Sequence, residues 1–288
     1  MLTLPEAQKL TQDELVAGII YQMYWQMPLL YSLPFEDVAG SAYVYNREDV
    51  AMSSGSTTRA LNGDYTEGTA GVTSVTVKLG RYGGKAQIDS FIQVSQSNIT
   101  NQLETQVIAK TRALAARFQA DFFNGDTTVD INGMDGLGKL LKATSQESVT
   151  LDALDLSELD QALLLCDGQP SAIFANAKTI AHLNKLVRDS RQVLNTIEMA
   201  GAILPAYNGV PVVKAGRKAG FTEILTDGEF FVCRFGADGV HGIQANTPSA
   251  QVFMPDSVSP SNTVRIDWYS AIALKVLTSA YHFKRALV

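Results

Sequence analysis

The chain has 288 residues, 46% hydrophobic and 18% charged, with a formal net charge of −6. That is enough apolar material for one large or two modest cores, and it excludes a globally disordered chain. The acidic balance, with no cluster of Lys and Arg beyond Lys284-Arg285, argues against direct nucleic-acid binding, which needs concentrated positive charge.

Residues 1–10 read as an extended tail. Thr11-Gln12-Asp13-Glu14 then has the form of a capping box, followed by Leu15, Val16, Ile19, Ile20, Met23 and Tyr24 at helical spacing until Pro28. This predicts a helix that packs either on its own core or, as an arm, on a neighbour. Gln22, Gln26 and Pro28 interrupt the apolar residues of 15–33, so no membrane span is expected there. No basic region followed by an apolar run opens the chain, so no secretory signal is expected. Cys166 and Cys233, far apart in sequence, read as small core residues suited to a reducing compartment.

Residues 46–71, NREDVAMSSGSTTRALNGDYTEGTAG, are too polar to build a core. Strand-like alternation flanks them, in Ser41-Ala42-Tyr43-Val44-Tyr45 before and in residues 72–79 after. A loop this long inside a compact fold is unusual, and such loops are commonly functional or disordered. The flanks predict a long two-stranded arm. A lone hairpin is marginal in water, so the arm is expected to become ordered against another subunit.

Strand alternation continues over residues 72–95, with Gly80, Gly83 and Gly84 read as a bend or bulge. Gly80-Arg81-Tyr82-Gly83-Gly84 lacks the Lys-Ser/Thr ending and the spacing of a phosphate loop. The strongest helix is predicted over 98–124, from Asn98 as N-cap to Gly125 as terminator. Ile99, Leu103, Val107, Leu114, Phe118 and Phe122 form its stripe, with Ala109, Ala113 and Ala116 beside it. At ~1.5 Å per residue it is ~40 Å long. The segment from Asn124-Gly125-Asp126 to Gly133-Met134-Asp135-Gly136-Leu137 is acidic and carries Asn132. It lacks the residue order of a calcium-binding EF-hand and reads as a turn-rich surface loop.

From residue 150 helices and strands alternate. Asp155 with Glu158 opens a helix carrying Leu159, Leu163 and Leu164, which ends at Asp167-Gly168. Ser171-Ala172-Ile173-Phe174 is a buried strand, and 177–188 is a second helix with Ile180, Leu183 and Val187. Residues 209–213 form a strand in which Pro211 marks an edge or a start, and 229–235 form another. Residues 263–268 and 271–277 return to strand pattern. A central α/β region, 145–255, is thus predicted as an insertion in a fold that includes the long helix and the last strands.

Catalytic signatures do not emerge. His182, His241 and His282 are scattered, with no acid or Cys at ligand spacing, and HExxH, CxxC and Gly-x-Ser-x-Gly do not occur. Asp152 and Asp155 read as cap and loop acids. No catalytic, cofactor-binding or metal-binding residue is assigned, and no cofactor is expected.

Four segments, in order, carry a resemblance. The first pairs Leu4-Pro5-Glu6-Ala7 with Leu30-Tyr31-Ser32-Leu33-Pro34-Phe35. The second is the polar arm followed by the long helix ending Phe123-Asn124-Gly125-Asp126 and then Asp135-Gly136-Leu137. The third is Gly209-Val210-Pro211-Val212-Val213, and the fourth is residues 234–243, RFGADGVHGI. In that order the chain resembles the major capsid proteins of tailed double-stranded DNA bacteriophages, whose Hong Kong 97 fold is shared with encapsulins. The resemblance implies an α+β fold with an N-terminal arm at 1–38 and an extended β-hairpin loop at 39–80. It implies a peripheral domain of 81–145 with 256–288, whose spine helix is 98–124, and an axial α/β domain at 146–255. It also implies pentamers and hexamers of this chain, closing an icosahedral shell in the virion after assembly in the host cytoplasm. That shell would enclose DNA without sequence-specific binding and without a membrane, with portal and decoration proteins as further partners.

Tyr43, Tyr45, Arg59 and Tyr65 are the candidate intersubunit contacts on the arm. Fewer than forty residues precede the arm, so a separate scaffolding protein, or none, is expected in place of an attached scaffolding segment. Residues 46–71 hold Arg47 and Arg59 but no Lys, so the covalent ring-linking of some family members lacks its amine nucleophile and a non-covalent shell is expected. Two alternatives remain: an encapsulin-type cellular compartment, and an α/β enzyme or ligand-binding domain built on 146–255.

Overall fold

The computed structural model describes residues 28–48, 58–66, 72–89, 91, 102–191, 195–199, 202–218, 222–245, 249–253 and 261–287. The helix expected over Thr11–Tyr24 and the cap at Asn98 lie outside the described residues. A short helix α1 (Pro28–Ser32) leads to strand β1 (Phe35–Asp37). The two arms of the hairpin, β2 (Ala42–Glu48) and β3 (Val72–Lys78), pair antiparallel from Ala42 opposite Lys78 to Glu48 opposite Val72. Period-2 alternation sets their two faces. Tyr43, Val75 and Val77 pack inward with buried Tyr45, while Val44 and Val72 stay exposed.

Strand β4 (Gly80–Asp89) follows at once and pairs antiparallel with the fourteen-residue β13 (Ser261–Leu274) over Ser261–Ser270. Gly83 faces Asp267 and Gly84 faces Ile266 in unbroken register, so the expected bend or bulge is not there. The physical need at Gly83 is space, because a Cβ would come 2.6 Å from the Ile266 carbonyl oxygen. Strands β11 (Val240–Gln244) and β12 (Ser249–Phe253) also pair antiparallel with β13, and β1 pairs parallel with β11. These five strands form one sheet. The second sheet has seven strands: β5 (Glu147–Ala153), β14 (Ala280–Ala286), β10 (Glu229–Cys233), β6 (Ala172–Ala175), β9 (Val210–Lys214), β8 (Ala202–Tyr207) and β7 (Asn195–Met199), in that spatial order.

The long helix α2 (Gln102–Asn124) joins the two sheets. Val107, Thr111, Leu114, Phe118 and Phe122 fall on one buried stripe at helical spacing. Phe118 stacks into the five-stranded sheet, 4.5 Å from Trp268 and 5.6 Å from Tyr82 between ring centroids. One turn on, Phe123 reaches the seven-stranded sheet, 5.3 Å from Phe174 and 5.2 Å from Phe231. One helix thus fills both parts of a shared core. Ala109 and Ala113, expected beside the stripe, are exposed, and Ala115 and Ala120 take that role. Gly125 ends the helix for steric reasons, since a Cβ there would run into the Met134 and Asp121 carbonyls. The short helix α3 (Leu137–Leu141) then closes the core with Leu137 and Leu141.

A second, smaller core lies between the other face of the seven-stranded sheet and two helices, α4 (Leu156–Leu165) and α5 (Ala177–Asp189). Asp155 caps α4 through the Leu156 amide, and Asn176 caps α5 through the Thr179 amide. Leu159 faces this core as expected, whereas Leu164 is 84% exposed. Pro211 sits second in β9 and is the last residue of that strand's short pairing with β8, opposite Ala206.

Strands group into sheets without following their order along the chain. β11 and β12, inside 146–255, belong to the five-stranded sheet, while β14, inside 256–288, belongs to the seven-stranded one. The chain crosses between these two sheets after β4, again after β10 and again after β13. The two strand runs expected near the C-terminus are one strand, β13. Burial alternates from Val264 to Tyr269, and the strand is then buried on both faces over Ser270–Leu274, where β11 and the core cover it.

Candidate assembly surface

The hairpin leaves the body at its root, and Tyr45 is the deepest anchor there. Its ring is 8% exposed and its hydroxyl donates to the Leu274 carbonyl at 2.8 Å. Burial raises the phenol pKa above its ordinary value. Tyr43 lies two residues closer to the body on the same face, 5.8 Å from Tyr45 and edge-on to His241 at 6.1 Å between centroids. The Tyr43 hydroxyl donates to Glu36 Oε2 at 3.3 Å. Lys275 lies over the Tyr43 ring at 5.8 Å, and the neighbouring Tyr43 hydroxyl raises its ammonium pKa. Both tyrosines therefore spend much of their contact surface within their own subunit.

The tip is different. Residues 58–66 are all exposed. Asn62 takes a left-handed φ of 65° just before Gly63, and the Gly63 amide donates back to the Ala60 carbonyl at 3.0 Å. Arg59 donates to the Gly63 carbonyl at 3.1 Å and its guanidinium covers the Tyr65 ring at 5.6 Å. The Tyr65 amide in turn donates to Asp64 Oδ1 at 2.8 Å. The result is a self-bonded turn that displays Leu61 at 94% exposure and Tyr65 at 59%. Covering a Leu of this kind stabilises by roughly 1.5–3 kcal/mol. Of the four sequence candidates, Arg59 and Tyr65 meet in the tip and Tyr43 and Tyr45 meet at the root.

Titratable groups elsewhere are paired in ways that spacing along the chain could not reveal. His282 lies between Glu229, 3.2 Å from Nε2, and Glu147, 3.5 Å from Nδ1, with its ring stacked on Phe231 at 4.3 Å. Burial alone would raise the Glu229 carboxyl pKa. The hydrogen bonds from His282 and Thr226 outweigh that and hold it at about 2. In the acidic loop Lys139 bridges Asp126 and Asp135 at 2.7 Å each, and its hydrogen bond lowers the Asp126 pKa. A cleft of about 360 Å³ between β4 and α2 holds Arg81, Lys110 and Arg117. Arg117 is engaged with Asp121 at 2.9 Å and Asp130 at 2.8 Å. Among the described residues no three His, Cys, Asp or Glu side chains lie together as a metal site would require, and no helix is long and apolar enough to cross a membrane. Cys166 and Cys233 are free and buried, and burial pushes the Cys166 thiol up to about 11.

No family model and no curated protein matches this sequence. Solved structures do. The chain is similar to the SrpI encapsulin of Synechococcus elongatus in its holo complex, at 16% identity and a TM-score of 0.69 over 89% of this chain and 86% of that one. It is similar to the capsid of a native GTA particle, at 15% identity and a TM-score of 0.64 over 90% of each chain. It is also similar to a chain from Mycobacterium phage Bobi, at 12% identity and a TM-score of 0.61 over 91% of each. At these identities the likeness is one of fold, and it covers about nine-tenths of this chain.

Proposed function

We propose that this chain, which has the Hong Kong 97 fold, is the major capsid protein of a tailed double-stranded DNA bacteriophage. In this reading it assembles as hexamers and pentamers into an icosahedral shell around the genome, and its contribution is structural and non-catalytic. The observation that carries the reading is the hairpin, with its root fastened to the body and an ordered turn presenting Leu61 and Tyr65 to the outside. Such an element stabilises an assembly by burying its tip on the next subunit, which offsets the entropy of ordering the arm. Arg59 and Tyr65 are the residues assigned to that contact. Tyr43 and Tyr45 set where the hairpin emerges.

The five-stranded sheet with α2 would form the peripheral domain, and the seven-stranded sheet with α4 and α5 the axial domain around the symmetry axes. A portal, with or without a decoration protein, would be its partner in the virion, and a separate scaffolding protein, or none, would act during assembly. The arm carries Arg but no Lys over 46–71, so the shell is held without covalent cross-links. Likeness to an encapsulin favours one further reading, a cellular compartment of the same fold. The contents of purified particles separate the two: genome-length DNA supports the capsid, and a tightly bound protein cargo supports the compartment. Deleting residues 50–66 tests the arm. The expected product is a folded subunit unable to close particles, and normal particles from that variant would refute the role given to the tip.

A further inference from the structure

We propose that Glu36 is a positioning residue, the hub of a latch with Tyr43, His241 and Lys275 that fixes the direction in which the hairpin leaves the body. The inference rests on the assembly reading for its consequence and on geometry for its existence. Among the described residues β2 and β3 pair only with each other, so no third described strand holds them in plane. Tyr45, bonded to the Leu274 carbonyl, supplies one point of attachment. Val75 and Val77 of β3 pack against the same core beside it, so this attachment holds the face of the hairpin around Tyr45. Tyr43 supplies a second point on the same face, two residues or ~7 Å along the strand. Two points define a direction.

Glu36 Oε2 is where that second point is tied down. It receives the Tyr43 hydroxyl at 3.3 Å and lies 3.6 Å from His241 Nε2 and 3.9 Å from Lys275 Nζ. The four side chains come from β1, β2, β11 and the residue following β13, so the latch ties the hairpin to the five-stranded sheet at several places. Of the three groups only the Tyr43 hydroxyl hydrogen-bonds this oxygen, at more than the about 2.5–2.7 Å of a tight O–H···O⁻ bond. His241 shows the tension in this arrangement. Its side chain is 2% exposed, and its Nε2 is buried without a hydrogen-bond partner while facing Glu36. Movement of the half-exposed Glu36 carboxylate therefore makes or breaks its bond to the Tyr43 hydroxyl, and Tyr43 moves with it. In a shell, the direction of the hairpin determines which neighbour its tip can reach.

The test uses the full chain with spin labels at Thr76→Cys on β3 and Leu151→Cys on β5, both exposed sites, while the native cysteines are buried. Distances are measured by pulsed electron resonance on unassembled subunits. The parent should give one narrow distribution. Glu36→Ala should lose it, giving a broad one with an unchanged thermal midpoint, and Glu36→Gln, which can still accept from Tyr43, should restore part of the sharpness. Tyr43→Phe should broaden it as Glu36→Ala does. A narrow distribution in both Glu36→Ala and Tyr43→Phe overturns the latch. In assembly, Glu36→Ala should yield loss of uniform particle size. Particles as uniform as the parent's, despite a broadened hairpin, would break the link to assembly. If the parent itself forms no particles, the capsid reading fails and the latch is judged by the distances alone.

Discussion

Tyr45 offers the sharpest test of how the hairpin is held. Tyr45→Phe keeps the ring and removes the hydroxyl that donates to the Leu274 carbonyl at 2.8 Å in a buried setting. The hydrogen bond contributes about 1 kcal/mol net, and the orphaned carbonyl brings the cost to about 1–2 kcal/mol. Tyr45→Ala also empties the space of a ring only 8% exposed, and a buried aromatic truncated to Ala costs about 3–5 kcal/mol. Because a two-stranded sheet has little stability of its own, these losses fall on the hairpin before they reach the body. Amide hydrogen exchange resolves this strand by strand. In Tyr45→Phe, exchange in β2 and β3 should rise by a factor of roughly 5–30, with the fully buried strand Phe230–Cys233 unchanged. Equal acceleration in both regions would mean the hairpin is no separate unit. No acceleration anywhere would mean the Tyr45 anchor does not hold it.

Other consequences are as definite. A Cβ at Gly242 would run into the Phe35 ring, which packs against Trp268 at 5.8 Å. Gly242→Ala should therefore displace β1 and cost about 1–3 kcal/mol in denaturant unfolding, and an unchanged midpoint would contradict that packing. The Glu229 carboxyl is held at about 2 against an ordinary 4.5, so its contribution to stability is complete above about 4.5 and is lost as the pH falls toward 2. Glu229→Gln should flatten the stability profile in that window, and an unaltered profile would remove the His282 pairing as its cause. With both thiols buried and their pKa values raised, native protein at pH 8 should resist iodoacetamide at Cys166 and Cys233 until it is unfolded. Prompt labelling of either would contradict their burial.

Much of the fold was legible wherever local pattern and tertiary role coincide. The hairpin arms alternate because one face meets the body and the other meets solvent. The long helix announced itself through Val107, Leu114, Phe118 and Phe122. β5 and β14 were missed for the same reason in opposite forms. β5 is an edge strand with Val149 and Leu151 exposed, so it shows no buried face, while β14 buries His282, a residue that reads as polar. What makes His282 suitable for the interior is Glu147 and Glu229, which lie far off in sequence and arrive only through sheet pairing. Sheet membership was not legible where strands changed sheets, because a strand's partners depend on register and not on its place in the chain. At the site, residue type singled out Tyr43, Tyr45, Arg59 and Tyr65 on the hairpin. It could not show that two of them anchor the root, nor that Leu61 stands at the apex of the tip.

The most direct test is cryo-electron microscopy of the purified full-length protein at a resolution that places the hairpin. Closed shells in which Leu61 and Tyr65 of each subunit are covered by an adjacent copy are the predicted result. Dispersed single subunits whose hairpin tips lie on their own bodies would contradict the account at its foundation.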